Sequence, residues 1–369
     1  MVGGARFSAM LIRLIRNVIL VLFSSFLLME LYYQVSLRAS NALPSFMRIY
    51  DYRFFDSDGT PRFIPNTDAW HRTTEQKPDL QIHINSEAFR GNEPLSSPSV
   101  RIAMVGDSTL MNGGVELEET FPFILETGLR ATFHDPNIEI LNFGVGETNA
   151  RQYYLKIKHH VLKFHPDLIV VFLYLNDGIE SMNTGWDSVD QSAESIWYRS
   201  LAFERISKFF KYYYLLFDAK SSGRFDWVGE FQAKNYLKDD SVWREMRNAA
   251  RQDWGAAWSK ESWKTIEHYL SAIRDLGKAE STEIWFAILP VGPQVELSPS
   301  ADSLFYPQEL ARQMSVKLNI GLLDPLTFFR AQESASDIYY DQCHFSPRGN
   351  KVMSEFLFPK LEEWIKKRH

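Results

Sequence analysis

The sequence predicts an α/β protein built on a central parallel sheet of about five strands, with an apolar N-terminal helix before it and an aromatic-rich, mainly helical insertion within it. Three observations carry this expectation. From Val100 onward, short apolar runs alternate with amphipathic helical stretches, as when crossover helices join parallel strands. Leu168–Leu175 (LIVVFLYL) is apolar without a break, as a strand covered on both faces has to be. Residues 1–35 hold a long apolar stretch of another kind, with arginines at one end and no acidic residue before Glu30.

The chain has 369 residues, 45% of them hydrophobic, enough for one large core or two modest ones. A net charge of −6 gives no support for nucleic-acid binding. The single cysteine, Cys343, excludes an internal disulfide. No repeat of solenoid length and no low-complexity tract is visible.

At the N-terminus, Asn17–Met29 is free of charge, but thirteen helical residues span only about 20 Å against a hydrocarbon core of roughly 30 Å. Read from Leu11 to Tyr33 the helix has 23 residues. Arg13 and Arg16 then snorkel to one interface, and Tyr32 and Tyr33 sit in the other. With Arg6, these arginines keep the N-terminus in the cytoplasm and put the remainder outside. The expectation is an uncleaved membrane anchor over residues 1–35. Its rivals are a signal peptide cut near Ser40-Asn41-Ala42 and a buried core helix.

Residues 36–95, rich in Pro, Asn, Asp and aromatics, read as an irregular lead-in, and residues 96–369 as the main domain. Its first strand starts at Val100 and ends at Val105. Thr120 is placed to cap the next helix, with Pro122 in its first turn, where a missing N–H costs nothing. Ile138–Phe143 is the second strand, and Asn149 caps a helix reaching about Phe164, stopped by His165-Pro166. Leu168–Leu175 is the third strand. Right-handed crossovers then bring the three strand ends to one edge.

Residues 178–258 break the pattern with six tryptophans: Trp186, Trp197, Trp227, Trp243, Trp254 and Trp258. This is long for a strand–helix connection and reads as an insertion. It is a lid or a sugar-stacking platform, a satellite core that buries aromatic area, or, around Phe209–Phe217, a surface lying on the bilayer. Order returns with a helix over Ser259–Leu276, a strand at Ile284–Leu289, a helix over Pro307–Leu318 and a short strand at Ile320–Leu323. A Ser346-capped helix runs almost to the C-terminus.

Two motifs carry chemistry. Gly106-Asp107-Ser108 stands at the C-terminal tip of the first sheet strand, the edge where open α/β sheets bind ligands. Ser108 is therefore placed as a nucleophile, and a free hydroxyl needs a base. Asp341 and His344, three residues apart before the last helix, can share one loop. The carboxylate then holds the imidazole tautomer that accepts a serine proton. An unperturbed His344 would titrate near about 6.5.

These motifs make the chain resemble the SGNH, or GDSL-type, hydrolases, and in particular their bacterial membrane-anchored branch. Gly106-Asp107-Ser108 is similar to the family's first block, which makes Ser108 the nucleophile and its backbone N–H an oxyanion donor. Leu141–Gly146 (LNFGVG) resembles the second block, whose glycine N–H is another donor; Gly146 takes that place, with Gly144 as the alternative. Asn176-Asp177 resembles the third block, whose asparagine amide completes the oxyanion hole. Asp341 and His344 match the D-x-x-H block. The resemblance implies a three-layer, flavodoxin-like fold and spans about residues 80–369. The chain departs from the pattern at Tyr174, where the third block usually has glycine, and at Glu147, where the second block's glycine usually falls. Ile84–Gly91 also resembles a segment found ahead of the first strand in the anchored branch, and is read as a strand and turn without a chemical role.

The resemblance implies a serine esterase acting on ester-linked acyl groups, foremost O-acetyl groups of a cell-surface polysaccharide, by hydrolysis or transfer, at the outer face of the inner membrane. The alternatives are a lipase or thioesterase, and a degenerate domain that binds glycan within an export complex. His159, His160 and His165 read as a solvated helix face, because no carboxylate or cysteine stands at ligand spacing. Cys343 and His344, as chain neighbours, are expected to point apart. No P-loop, dinucleotide glycine pattern, H-E-x-x-H or G-x-S-x-G motif occurs, so neither a cofactor nor a metal is expected.

Overall fold

The computed structural model describes residues 2–38, 53–55, 61–71, 80–146, 148–178, 202, 206, 227–298, 303–332, 334–341 and 343–368. Trp186, Trp197, Phe209–Phe217 and the Ser40–Ala42 cleavage pattern lie outside these residues.

Helix α1 spans Val2–Arg38. Its Met10–Tyr32 stretch has 23 residues, a mean hydropathy of 2.0 and no buried share, so it is long and apolar enough to cross a membrane. Leu11, Leu20, Phe23 and Leu28 all face outward. This removes the buried core helix as a reading.

The lead-in is more regular than its composition suggests. Strands β1 (Arg53–Phe55) and β2 (Pro61–Phe63) pair antiparallel, as do β3 (Thr67–His71) and β4 (Leu80–Ile84). Phe63, Ile82 and Ile84 are buried with Met111 and Val145, so this segment packs beneath the loops that follow the first two sheet strands. Apolar residues at alternate positions 82 and 84 give the face that contact needs.

The central sheet has five parallel strands: β5 (Val100–Gly106), β6 (Ile138–Gly144), β7 (Leu168–Leu173), β8 (Glu283–Ile288) and β9 (Gly321–Leu323). Their order, β6-β5-β7-β8-β9, is the flavodoxin-like one, and β5, β6 and β7 are buried along their whole length. Ser108–Met111 forms a single turn, α2. Helices α3 (Phe121–Phe133) and α11 (Pro347–Lys366) pack together in one outer layer. In the other, α4 (Ala150–Lys156) lies against α7 (Lys260–Glu280), which also meets α9 (Tyr306–Leu318). Between these come α5 (Trp227–Gln232), α6 (Asp240–Ala249), α8 (Gly292–Glu296) and α10 (Leu326–Arg330).

Two local expectations change. The helix from Asn149 does reach Phe164, but as an α-helix that widens into a π-turn at Ile157–Val161 and tightens at Leu162–Phe164. Thr120 stands at the start of α3 but does not cap it. Its hydroxyl donates to Leu117 O at 2.7 Å, and the free N–H of Phe121 is taken by Asn350 of α11 at 3.0 Å.

Candidate active site

Strand ends set the site. Gly106 lies level with Gly144 on one side and Phe172 on the other, so Ser108, Gly146 and Asn176 leave the sheet at one edge. The Asp107 carboxylate accepts from Thr109 N at 2.8 Å and starts α2, leaving Ser108 as the first residue of the turn. A first-turn N–H has no partner within its own helix and is available to an acceptor outside it.

The loop 339–345 reaches the same edge. A bridge between Tyr339 and Phe345 closes it, and the Tyr339 hydroxyl donates to Pro290 O, just past β8, at 2.5 Å. Inside the loop, Asp341 Oδ2 lies 2.7 Å from His344 Nδ1. Asp341 Oδ1 accepts the backbone N–H groups of Cys343 and His344 at 2.9 and 2.7 Å. The carboxylate is thus bound on both oxygens; burial pushes its pKa up, but the imidazole and the two backbone N–H groups together hold it below the usual range. Burial opposes a charged imidazole at His344, yet the Cys343 sulfur and the Asp341 carboxylate raise its pKa well above the ordinary value. Burial itself pushes the Cys343 thiol up to about 11, so near pH 7 Asp341 is the charged partner. Among the described residues, no hydrogen bond joins Ser108 Oγ to His344. Such contacts commonly tighten only when substrate is bound.

Cys343 does not point away from His344 as expected: its sulfur lies 3.4 Å from His344 Nδ1. The tight turn imposed by Asp341 brings both onto one side of the loop. Asp341, Cys343 and His344 are the one trio among the described residues whose ligand atoms fall within reach of a single ion. With both carboxylate oxygens engaged and the thiol protonated at pH 7, this trio is held as a hydrogen-bonded turn. The Tyr340 ring stacks on His344 at 5.7 Å and 14°, and lies so close over Gly114 that any side chain there would collide with it.

The second block separates its two glycines. Gly144 donates its N–H to Asn142 Oδ1 at 2.9 Å, and a Cβ there would strike Met111 N and Leu110 C of α2. Gly144 therefore serves close packing against α2. In the third block, Tyr174 donates its N–H to Asp177 Oδ2 at 2.9 Å, and Tyr153 donates its hydroxyl to Asp177 Oδ1 at 2.9 Å. Asp177 thus closes the turn that presents Asn176. Burial raises the pKa of both Asp107 and Asp177, and the Asp107 charge pushes Asp177 up further.

Two residues escaped the sequence reading. Arg90, buried at 2% exposure, donates to Met111 O and Asn112 O at 3.0 and 2.5 Å and to Val115 O at 2.6 Å. It holds the end of α2, so Ile84–Gly91 has a bracing role after all; a lone arginine in a turn gives no sequence signal of this. Asp253, from the insertion, accepts from Asn176 Nδ2 at 3.4 Å and from Trp254 N at 2.7 Å. No spacing rule links it to a residue 77 positions away. The described tryptophans of the insertion form a core: Trp243 stacks on Trp254 at 5.6 Å and 9°, and both are fully buried.

The fold and this edge define a doubly wound α/β protein that gathers a serine, a histidine–aspartate pair and an asparagine at the C-terminal ends of its strands. No protein-family model matches the chain. No curated protein matches it either. Solved structures similar to it include the acetyl xylan esterase AlAXEase, at 12% identity and a TM-score of 0.41, covering 71% of this chain and 99% of that one. The acetylxylan esterase Axe2 from Geobacillus stearothermophilus is 12% identical with a TM-score of 0.42, over 71% of this chain and 94% of its own. A lipolytic protein of the G-D-S-L family from Desulfitobacterium hafniense is 13% identical with a TM-score of 0.38, over 71% and 99%.

Proposed function

We propose that the chain is a serine ester hydrolase with Ser108 as nucleophile, His344 as base and Asp341 as the residue that orients it. The observation that carries this reading is the 2.7 Å Asp341–His344 pair, delivered to the sheet edge that bears Ser108. With Nδ1 tied to Asp341, Nε2 is the imidazole nitrogen left to take a proton. Ser108 Oγ attacks the ester carbonyl as its proton passes to His344. His344 returns that proton to the departing alkoxide, leaving an acyl-serine. Water or a sugar hydroxyl then attacks the acyl carbon, gives its proton to His344, and Ser108 recovers it as the product leaves. The N–H groups of Ser108 and Gly146 and the Asn176 amide hold the oxyanion, each worth about 10²–10³ in rate.

The substrate we assign is an O-acetyl group on a cell-surface polysaccharide, met at the outer face of the inner membrane. The exposed apolar helix α1, with Arg6, Arg13 and Arg16 before its apolar run, supports a single-pass anchor and that orientation. Trp243 and Trp254 are buried in a core of the insertion and are not available to line an acyl-chain tunnel. The test is a fluorophosphonate probe with an ester panel. It should label the wild type and leave Ser108→Ala unlabelled, with acetyl esters turned over fastest. Equal labelling of the alanine variant would remove the reading.

A further inference from the structure

We propose that Asp253 is a positioning residue that sets which way the Asn176 carboxamide faces, so that the insertion completes the oxyanion site from outside the sheet. This rests on the reading of Asn176 as an oxyanion donor. A carboxamide has two ends of nearly the same shape and opposite chemistry: the NH2 end donates and the carbonyl end accepts. Turned the wrong way, Asn176 would repel the oxyanion it is meant to hold.

Among the described residues around the amide, one neighbour discriminates between the two orientations. An ionised carboxylate only accepts, so the end of Asn176 that lies against it must be the NH2 end, and it does so at 3.4 Å. Burial pushes the Asp253 carboxyl up to about 6, which leaves it ionised at pH 7. The Asn176 carbonyl oxygen is buried without a hydrogen-bond partner, so it contributes nothing to the choice. One N–H of the NH2 group faces Asp253 and the other remains for a ligand. At 3.4 Å the bond directs the amide while leaving it room to lean toward a developing charge.

Asp253 is itself fixed. The same Oδ1 accepts Trp254 N at 2.7 Å, and the backbone on either side is tied by Asp253 N to Ala250 O and Ala256 N to Asp253 O at 2.8 and 2.9 Å. The Trp254 ring is stacked on Trp243 and meets Trp227 and Trp258 edge-on at 5.9 and 5.8 Å. The tryptophan core of the insertion is therefore the rigid mount of this carboxylate.

The experiment is a double-mutant cycle on the full-length protein in detergent, with p-nitrophenyl acetate as substrate. Asp253→Ala should lower kcat about ten- to a hundredfold, no more than the roughly 10²–10³ expected for Asn176→Ala, while KM moves less than about twofold. Asp253→Asn, which keeps a side-chain carbonyl for both N–H groups, should recover most of the loss. The Asn176→Ala/Asp253→Ala double variant should be no slower than Asn176→Ala alone. If Asp253→Ala fails to fold, Asp253→Ser, which keeps an oxygen for Trp254 N but is too short to reach Asn176, takes its place in the cycle. Losses that multiply in the double variant, or an unchanged kcat in the folded single variant, overturn the role of Asp253. A wild-type kcat in Asn176→Ala beside an inactive Ser108→Ala overturns the oxyanion assignment beneath it, and an active Ser108→Ala overturns the hydrolase reading itself.

Discussion

The side chain of Asn350 accepts the backbone N–H of Phe121 at 3.0 Å, across 229 residues of sequence. The helix that follows His344 thereby caps the helix that follows Ser108. Asn350 also donates to Phe345 O and Ser346 O at 3.3 and 3.1 Å, the two residues after the histidine. The two arms of the site are joined behind it by one buried amide.

Removing that amide leaves a buried N–H without a partner. Asn350→Ala should destabilise the fold by about 1–3 kcal/mol, read from denaturant or thermal unfolding. Because the same amide fixes the 341–345 loop, kcat should fall as well, even under conditions where the variant is fully folded.

Arg90 supports the other arm. Arg90→Met keeps much of the side chain's length but removes the guanidinium bonds to the carbonyls of Met111, Asn112 and Val115. Each lost bond to a charged group is worth about 1.5–3 kcal/mol, so a stability loss of at least ~2 kcal/mol is expected. Fluorophosphonate labelling of Ser108 should slow in the folded protein as α2 loosens. Unchanged labelling would show that the turn holds Ser108 without this brace.

The pH dependence follows from His344. Its folded-state pKa lies well above the ordinary imidazole value near about 6.5, so the sequence-level midpoint is too low. His344 acts as a base only when neutral, so kcat/KM should rise with pH through a midpoint well above that value. The stability sign is opposite: the pairing with Asp341 contributes fully below the unfolded pKa and is lost as pH rises through the folded one. Asp341→Asn removes the carboxylate; it should lower the midpoint and reduce kcat about 10⁴-fold. A wild-type profile centred on the ordinary imidazole value would count against the pair acting as drawn.

The two glycines of the second block should behave in the reverse of the order their motif positions suggest. From the sequence, Gly144→Ala is the mild change. In the structure a methyl at position 144 meets the backbone of Met111 and Leu110, which belongs to α2 and cannot step aside. Gly144→Ala should therefore displace Ser108's turn and cost about 1–3 kcal/mol as overpacking does, with activity lost in parallel. Circular dichroism melts and active-site titration together check it.

Much of this protein can be read from its residues in order. The parallel strands appear as apolar runs because both faces of each strand are covered. The terminal helix appears because its apolar surface has no polar face. The Asp341–His344 pair appears because it depends on residue type and a three-residue spacing, and a local turn made by Asp341's own backbone contacts is enough to form it. What remained hidden depends on distance in the chain. Arg90 bracing α2, Asn350 capping α3 and Asp253 holding Asn176 each join segments with no periodic relation. The tight packing of Gly144 against the backbone of α2 is hidden in the same way. The neutral Cys343 comes from burial, and the raised His344 from its Cys343 and Asp341 neighbours acting against burial. Residue order determines which groups are present and how each local stretch folds; only packing decides which polar atoms are already satisfied, and so which are left to act on a substrate.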